Sequence, residues 1–143
     1  MVLDKRVVDK VLDKLRELFT KRYRDYIAYA YLFGSVVEGR ATCESDIDIA
    51  IRFYNSVSKR EQWRIVKEIS GDVSEDIDLV ILSIDSPVLC MSVFSHGVLF
   101  YCRDKWLLFL DHNRVLKLYN DFLYIARPYK ERLMECIEKG ITK

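Results

Sequence analysis

The sequence predicts an α/β (α+β) domain in which a small β-sheet of about four strands is covered by helices and followed by a C-terminal helical segment. Four short apolar runs have the length and composition of strands, and the stretches between them carry apolar residues at helical spacing. From residue 104 the helical pattern continues almost to the end. Because 143 residues can build one core but not two, we treat 1–143 as a single domain with its core at 26–102 and a C-terminal segment at 104–140.

The composition is that of a globular protein without a disordered tract. Half of the residues are hydrophobic and 31% are charged, and the formal net charge of +1 gives no reason to expect nucleic-acid binding. The four cysteines are widely spaced and include no C-x-x-C pair, which is typical of reduced thiols in a cytoplasmic protein. No apolar run approaches the ~20 residues of a membrane span. We therefore expect a soluble, cytoplasmic protein that does not contact a membrane.

The first half of the chain alternates helical and strand patterns. Apolar residues recur every three or four positions over 4–21, which predicts an amphipathic helix. The run 26–33 is apolar and aromatic throughout and predicts a buried strand that feeds a glycine turn. A short helix is expected over 35–38, and the second strand over 46–53.

The next elements are bounded by capping signals. Ser58 and Glu61 match a capping box, which predicts a helix that ends at Gly71. The third strand is expected over 76–81. Ser86 and the proline after it are typical of a helix N-cap and first turn, so a helix over 87–97 and a short fourth strand over 98–102 should follow.

The C-terminal segment offers more apolar surface than a small sheet needs to cover. Pro128 is expected to kink this segment or to split it into two helices. The surface could dock a partner or fold back onto the sheet, and both interpretations stay open. The residues that keep a spacing of three or four are Val115, Tyr119, Phe122, Ala126, Tyr129, Leu133 and Cys136 or Ile137.

One stretch has the residue types of a metal and phosphate site. It places Gly34 and Ser35 ten residues before Asp46-Ile47-Asp48. Along an extended strand both aspartates leave the same face, where their like charges repel each other unless a cation lies between them. A glycine turn lets backbone N–H groups approach a phosphate closely, and a serine adds a hydroxyl donor.

This spacing resembles the signature of the DNA polymerase beta-type nucleotidyltransferase superfamily. The short chain and its helical C-terminal segment look most like the minimal nucleotidyltransferases (MNT) that are encoded beside HEPN-domain toxins. The resemblance implies a nucleotidyltransferase fold with a mixed β-sheet. It also implies an enzyme that transfers AMP from ATP to a hydroxyl, with two Mg²⁺ ions at the reacting phosphates.

The resemblance assigns the catalytic and metal-binding roles to three aspartates. Asp46 and Asp48 would bridge the metal ions. Asp78 precedes an apolar pair, Leu79-Val80, as the family's third aspartate does, and it would hold the catalytic metal and help to deprotonate the acceptor hydroxyl. Asp76 lies on the same predicted strand face and is the alternative third carboxylate.

Four residues are grouped by the resemblance as nucleotide-binding. Gly34 and Ser35 would bind the β and γ phosphates. Many family members carry arginine before the second glycine and an acid after it, whereas this chain has Glu38-Gly39-Arg40, so the phosphate role of Arg40 is open. Ser45 is expected to fix the loop by hydrogen bonding rather than to touch the substrate.

The resemblance further implies an antitoxin. MNT proteins of this type bind a HEPN ribonuclease toxin and adenylylate a tyrosine on it, which silences the ribonuclease. We therefore expect ATP and a HEPN-domain toxin encoded nearby as partners, without direct nucleic-acid binding. Two alternatives remain, namely a non-enzymatic antitoxin that masks the toxin by binding and a nucleotidyltransferase that acts on a small molecule.

The histidines and the tyrosine run are interpreted as structural. His96 stands beside a helix-ending glycine, and His112 lies in a helical stretch next to Asp111. The strand tyrosines, which alternate with apolar residues, favour core packing over a base-stacking platform. They are Tyr26, Tyr29 and Tyr31.

Overall fold

A computed structural model describes residues 5–39, 46–74 and 76–140. It contains four helices and four strands within these ranges, close to the predicted order. The elements are α1 (Lys5–Lys21), β1 (Ile27–Phe33), β2 (Ile47–Phe53), α2 (Lys59–Asp72), β3 (Ile77–Ile81), α3 (Pro87–His96), β4 (Val98–Cys102) and α4 (Lys105–Glu138).

The four strands form one mixed sheet in the order β3-β2-β1-β4. β1 pairs antiparallel with both β2 and β4, whereas β2 and β3 pair in parallel. A parallel pair needs a crossover connection, and α2 supplies it between β2 and β3. The predicted mixed sheet with covering helices is therefore confirmed.

Helices cover both faces of the sheet. On one face the buried side chains of α1 and α2, such as Leu15 and Ile65, pack against Ile49 and its neighbours on β2. On the other face Val93 of α3 and Val115 of α4 pack against the alternate strand residues. The alternation along β2 thus anchors its isoleucines beneath α1 and α2 and directs the residues between them toward the side of α3 and α4.

Helix ends agree with the predictions to within about two residues, the usual uncertainty of helix boundaries. Ser58 Oγ accepts a hydrogen bond from the Glu61 N–H at 3.2 Å, as the capping box predicts. α2 runs one residue past Gly71 to Asp72, so the predicted stop at Gly71 is wrong. Ser86 precedes α3 as predicted, but its side chain makes no capping hydrogen bond, since the proline after it already sets the backbone for the first turn.

The C-terminal segment is one helix rather than two. α4 continues for 34 residues with Pro128 inside it, so the expected split is wrong. Proline removes one backbone hydrogen bond, but this part of the helix is exposed, and water can satisfy the freed carbonyl. Asp104 caps the helix by accepting a hydrogen bond from the Leu107 N–H at 2.9 Å. Beyond Val115 no described side chain of α4 is fully buried, so folding back onto the sheet accounts only for its first third.

Among the helices that the structure describes, none combines the length and apolar character that a membrane crossing requires. The three described cysteines, Cys90, Cys102 and Cys136, are free thiols.

Candidate active site

Two of the predicted carboxylates are neighbours on adjacent strands. In the parallel pair, Asp48 on β2 lies in register with Asp78 on β3. Registered residues of neighbouring strands point to the same side of a sheet, with their backbones about 4.8 Å apart. Asp46 directly precedes β2 and, two residues before Asp48, belongs to the same face. The structure therefore brings Asp48 and Asp78 together and places Asp46 at the start of the strand.

Asp76 has a different position. It precedes β3, and its backbone carbonyl accepts a hydrogen bond from the Ile47 N–H at 3.1 Å. This bond extends the pairing of the two strands toward their N-terminal ends. Asp76 therefore stands opposite the beginning of β2, whereas Asp78 stands opposite Asp48 itself.

The carboxylates repel one another at this end of the sheet. Partial burial raises the pKa of Asp48, and the nearby charges of Asp78 and Asp46 raise it further. Over the described ranges, none of the three forms an ion pair with lysine or arginine. As far as the described residues go, the site holds negative charge that no cation balances, and a divalent cation would stabilise it.

We expect this repulsion to appear in the pH dependence of stability. Because the native pKa of Asp48 is raised, its protonated form favours the folded state. That contribution is fully present below the ordinary aspartate pKa of about 4 and is lost as the pH rises through the raised native value. In the presence of EDTA, the Asp48→Asn variant should therefore match the wild type in acid and become the more stable protein toward neutral pH. Urea unfolding across pH measures this, and a variant that is less stable at neutral pH would contradict it.

The glycine turn lies against the central carboxylate. Gly34 has a left-handed φ of +81° and opens a one-turn 3-10 helix, Gly34–Val36. A Cβ atom added at Gly34 would overlap Oδ2 of Asp48 and lie 3.0 Å from its Cγ. Phe33 precedes the turn, and its side chain makes no hydrogen bond that would cap the 3-10 helix. The residue must therefore be glycine both for its backbone angle and for the close approach of Asp48.

A matched pair of glycine variants separates these two requirements. Gly39 also has a left-handed φ, +73°, but a Cβ added there would meet no atom within 4 Å. Both Gly34→Ala and Gly39→Ala should lose stability from backbone strain, by about 1–3 kcal/mol. Only Gly34→Ala should also displace the Asp48 carboxylate and reduce ATP binding. Equal nucleotide affinity in the two variants, measured by calorimetry with Mg²⁺, would mean that the contact with Asp48 has no role.

Of the other predicted nucleotide-binding residues, the structure describes only Ser35. Ser35 lies in the 3-10 turn beside Gly34 and is half-buried. Arg40 and Ser45, like Cys43, lie outside the described residues, and their roles stay predictions.

The residues present fit a divalent cation by the chemistry of their donors. Within 5–39, 46–74 and 76–140, no three carboxylate, imidazole or thiol side chains are gathered closely enough to coordinate one ion as they stand. Asp48 and Asp78 are nevertheless in register, and the carboxylate oxygens they offer are the ligands that Mg²⁺ prefers. The raised pKa of Asp48 also reports the repulsion that such an ion would relieve. Asp46, Asp48 and Asp78 are therefore the residues that would hold it.

A buried charge network, which sequence reasoning missed, lies further along the same face of β2. Arg52 donates from Nε to Oδ2 of Asp111 at 2.8 Å, and Tyr29 Oη donates to the same oxygen at 2.7 Å. Arg52 is 7% exposed and Asp111 5%. Burial and the hydrogen bond to Asp111 raise the pKa of Tyr29. The sequence signal was Arg52 itself, a charged residue four positions after Asp48 in a strand that is otherwise buried.

The histidines and the tyrosine run differ in burial. Tyr26 is exposed and precedes β1, so the prediction that it packs in the core is wrong. His112 stacks on the ring of Phe94 with centroids 3.9 Å apart, and its Nε2 lies 3.1 Å from Tyr31 Oη. Burial lowers the pKa of His112. His96 is exposed at the end of α3, with Nδ1 3.3 Å from the Ser92 carbonyl. Tyr29 and Tyr31 are buried in the core.

The sequence is similar to a known protein family and to a known adenylyltransferase. The sequence profile of the family described as Polymerase beta, Nucleotidyltransferase matches residues 13–106. The protein adenylyltransferase MntA of Shewanella oneidensis is 32% identical over 89 residues, which span 62% of this chain and 60% of that protein.

Solved structures share the fold at lower identity. A mutant MntA–HpeT toxin–antitoxin complex contains a chain that matches with a TM-score of 0.69 at 22% identity, over 86% of this chain and 98% of that chain. A tri-AMPylated HEPN toxin of Shewanella oneidensis in complex with MNT antitoxin matches with a TM-score of 0.66 at 21% identity, over 88% and 98%. The family profile covers more than half of the sequence and includes the turn and all three aspartates. The chain therefore belongs to the polymerase beta nucleotidyltransferase family.

Proposed function

We propose that this protein is a metal-dependent adenylyltransferase that transfers AMP from ATP to a tyrosine hydroxyl of a HEPN ribonuclease toxin and thereby acts as its antitoxin. The observation that carries the proposal is the register of Asp48 with Asp78 directly beside the Gly34 turn. The turn suits a triphosphate, and the carboxylates suit the divalent cations that nucleotidyl transfer requires.

The reaction joins the acceptor oxygen to the α-phosphorus of ATP and breaks the bond to the β-phosphate, so pyrophosphate leaves. When bound, two Mg²⁺ ions supply the positive charge that stabilises the phosphate oxygens during this exchange. Asp46 and Asp48 would hold the ions in this scheme. Asp78 lies on the edge strand β3, where an acceptor can approach, and its carboxylate helps to remove the hydroxyl proton. A tyrosine with a pKa near 10 needs that help at neutral pH.

In this proposal the Gly34 turn binds the phosphates of ATP. The N–H groups at the start of the 3-10 helix Gly34–Val36 have no partner inside the turn and are suited to phosphate oxygens. Ser35 adds a hydroxyl donor beside them. The proposed nucleotide-binding set also includes Arg40, whose role toward the phosphates is open, and Ser45, which would fix the loop by hydrogen bonding rather than touch the substrate.

The similar proteins support the choice of acceptor. The relative MntA is a protein adenylyltransferase by name, and one matching structure pairs an MNT antitoxin with a HEPN toxin that carries AMP. The matched segment spans 60% of MntA, so its activity and partner are carried over here as a proposal. We further propose that residues 1–143 act as a single domain and that the cytoplasm, which supplies ATP, is its compartment.

Incubation with ATP, Mg²⁺ and the HEPN-domain protein encoded beside this chain tests the proposal. Intact-mass spectrometry should show AMP on the HEPN protein, and its ribonuclease activity should fall as the adduct accumulates. Inhibition without an adduct would instead indicate an antitoxin that masks the toxin by binding. Pyrophosphate release that depends on an added metabolite, with no protein adduct, would indicate a small-molecule substrate.

Nucleotide binding should also stabilise the folded protein. A ligand that binds only the native state adds RT ln(1 + [L]/Kd), about 2.7 kcal/mol at one hundred times Kd. ATP with Mg²⁺ should therefore raise the melting temperature, and ATP with EDTA should raise it much less because the carboxylates then repel the triphosphate. Absence of any shift at millimolar ATP and Mg²⁺ would contradict the site.

A further inference from the structure

The C-terminal part of α4 projects from the body of the protein with a largely apolar surface. We call residues 116–138 the distal helix. Its exposed large apolar side chains are Leu116, Phe122, Leu123, Tyr124, Ile125, Tyr129, Leu133, Met134 and Ile137. At 1.5 Å per residue this segment is about 35 Å long.

Some of its apolar residues follow a coiled-coil repeat, and most of the other exposed apolar residues flank that repeat. Successive positions are separated alternately by three and four residues, the spacing of the a and d positions of a heptad. A strict repeat of this kind places one narrow seam along a helix and is suited to packing against another helix. The seam positions are Tyr119, Phe122, Ala126, Tyr129, Leu133 and Cys136.

The distal helix needs another surface to pack against in order to be stable. Isolated helices of ~20 residues are marginally stable in water, and most helical stability in proteins comes from packing an apolar face. Asp111 and Val115 are the fully buried residues of α4, and most side chains of the distal helix are exposed, so the body supplies little of that packing to the distal helix. Pro128 weakens the helix further, since it removes one backbone hydrogen bond.

The charged residues beside the seam indicate which kind of partner binds there. Lys130 and Arg132 flank the seam at its centre, and neither forms an ion pair with any residue that the structure describes. The nearby carboxylates lie away from the seam and are paired, Glu131 with Arg127 at 3.1 Å and Glu135 with Lys139 at 2.6 Å. The flanking e and g positions of the distal helix are all apolar or basic. They are Leu116, Leu118, Leu123, Ile125, Lys130, Arg132 and Ile137.

This pattern disfavours a second copy of the chain as the occupant. In either orientation, two copies would bring together flanking positions that contain no carboxylate, so the cations would find no opposite charge. A partner helix with aspartate or glutamate beside its own apolar seam would supply that charge.

We propose that the distal helix is the docking surface for the acceptor protein, which presents a helix with an apolar seam flanked by carboxylates. This inference rests on the proposed function, because it identifies the surface that holds the protein substrate. The docking surface and the carboxylate site are separate parts of the chain, so variants in one should leave the other intact.

A matched pair of substitutions tests the surface. Tyr129 lies on the seam and is 71% exposed, whereas Tyr124 lies off the seam and is 83% exposed. In the full chain, Tyr129→Glu should weaken binding to the co-expressed HEPN-domain protein at least about 30-fold, the effect of losing a central aromatic anchor. Tyr124→Glu should bind within a few fold of the wild type. Both variants should keep the melting shift with ATP and Mg²⁺, which shows that the body is folded.

A charge reversal tests the nature of the partner. The double variant Lys130→Glu, Arg132→Glu should bind more weakly at low salt and lose the salt dependence of the wild-type complex. Asp48→Asn should still bind the HEPN protein while failing to transfer AMP, so failure of docking and failure of catalysis are distinguishable. Tyr129→Glu binding as tightly as the wild type would overturn the proposal. It would also be overturned if Tyr129→Glu abolished self-association of the chain, measured by light scattering, and left partner binding unchanged.

Discussion

The Asp48→Asn variant should transfer AMP at least about 1,000-fold more slowly than the wild type, because it removes a charged ligand at the centre of the proposed metal site. Asp48 is in register with Asp78 and touches the turn that is proposed to hold the triphosphate. Asparagine has nearly the same shape, so the fold is preserved, and metal-free stability should be unchanged or higher. Single-turnover transfer to the HEPN protein, with metal-free unfolding measured alongside, gives both quantities.

The two aspartates near the start of β3 provide the matched control. Asp78→Asn should lose transfer to a similar extent, whereas Asp76→Asn should stay within a few fold of the wild type. The difference is expected because Asp78, and not Asp76, pairs in register with Asp48. If Asp76→Asn lost transfer and Asp78→Asn did not, the assignment of the third carboxylate would have to be exchanged.

The Asp111→Ala variant should lose about 3–5 kcal/mol of unfolding free energy, the largest stability effect that we expect from a single substitution. The substitution leaves the guanidinium of Arg52 buried without its carboxylate and also removes the acceptor of the Tyr29 hydroxyl. Asp111 joins α4 to β1 and β2, so the loss should also loosen α4 from the sheet. Urea unfolding measures the change, with the exposed Asp121→Ala on the same helix as the control.

The double variant Arg52→Met, Asp111→Leu distinguishes the cost of an unpaired buried charge from the cost of lost packing. Replacing both partners by apolar residues leaves no unpaired charge, so this variant should be more stable than Asp111→Ala. A loss below about 1 kcal/mol for Asp111→Ala would mean that water reaches Arg52 and that the network does not hold α4 in place.

Local patterns in the sequence were sufficient to predict most of the helices and strands. The predicted strands 26–33 and 46–53 begin only one residue before β1 and β2. The first was recognisable because a strand buried on both faces shows a continuous apolar sequence, and the second because its isoleucines alternate with other residues. The repeated pattern of Asp46-Ile47-Asp48 and Asp76-Ile77-Asp78 also anticipated that these strands would present carboxylates to one side. The family resemblance implied only that the sheet is mixed. The order of the strands and the parallel pairing of β2 with β3 were not predicted, since periodicity carries no information about neighbours.

Features that depend on contacts distant in the sequence could not be predicted. Arg52 and Asp111 are 59 residues apart, and nothing local indicates that they meet. Pro128 was expected to kink the segment or to split it into two helices, and the split is wrong because an exposed helix can lose one hydrogen bond without ending. The resemblance favoured Asp78 as the third carboxylate, but Asp76 stayed an alternative because a shift of two residues keeps both on the same face. The register of Asp78 with Asp48 supports the first choice.

In the proposed reaction, AMP is transferred through the carboxylates at the start of β2 and β3. Incubation of the protein, Mg²⁺ and the HEPN partner with ATP labelled at either the α or the γ phosphate tests this transfer. We predict label on the partner from α-labelled ATP alone, with release of pyrophosphate and no label with Asp48→Asn. Label from γ-labelled ATP, or equal labelling by Asp48→Asn, would contradict the account.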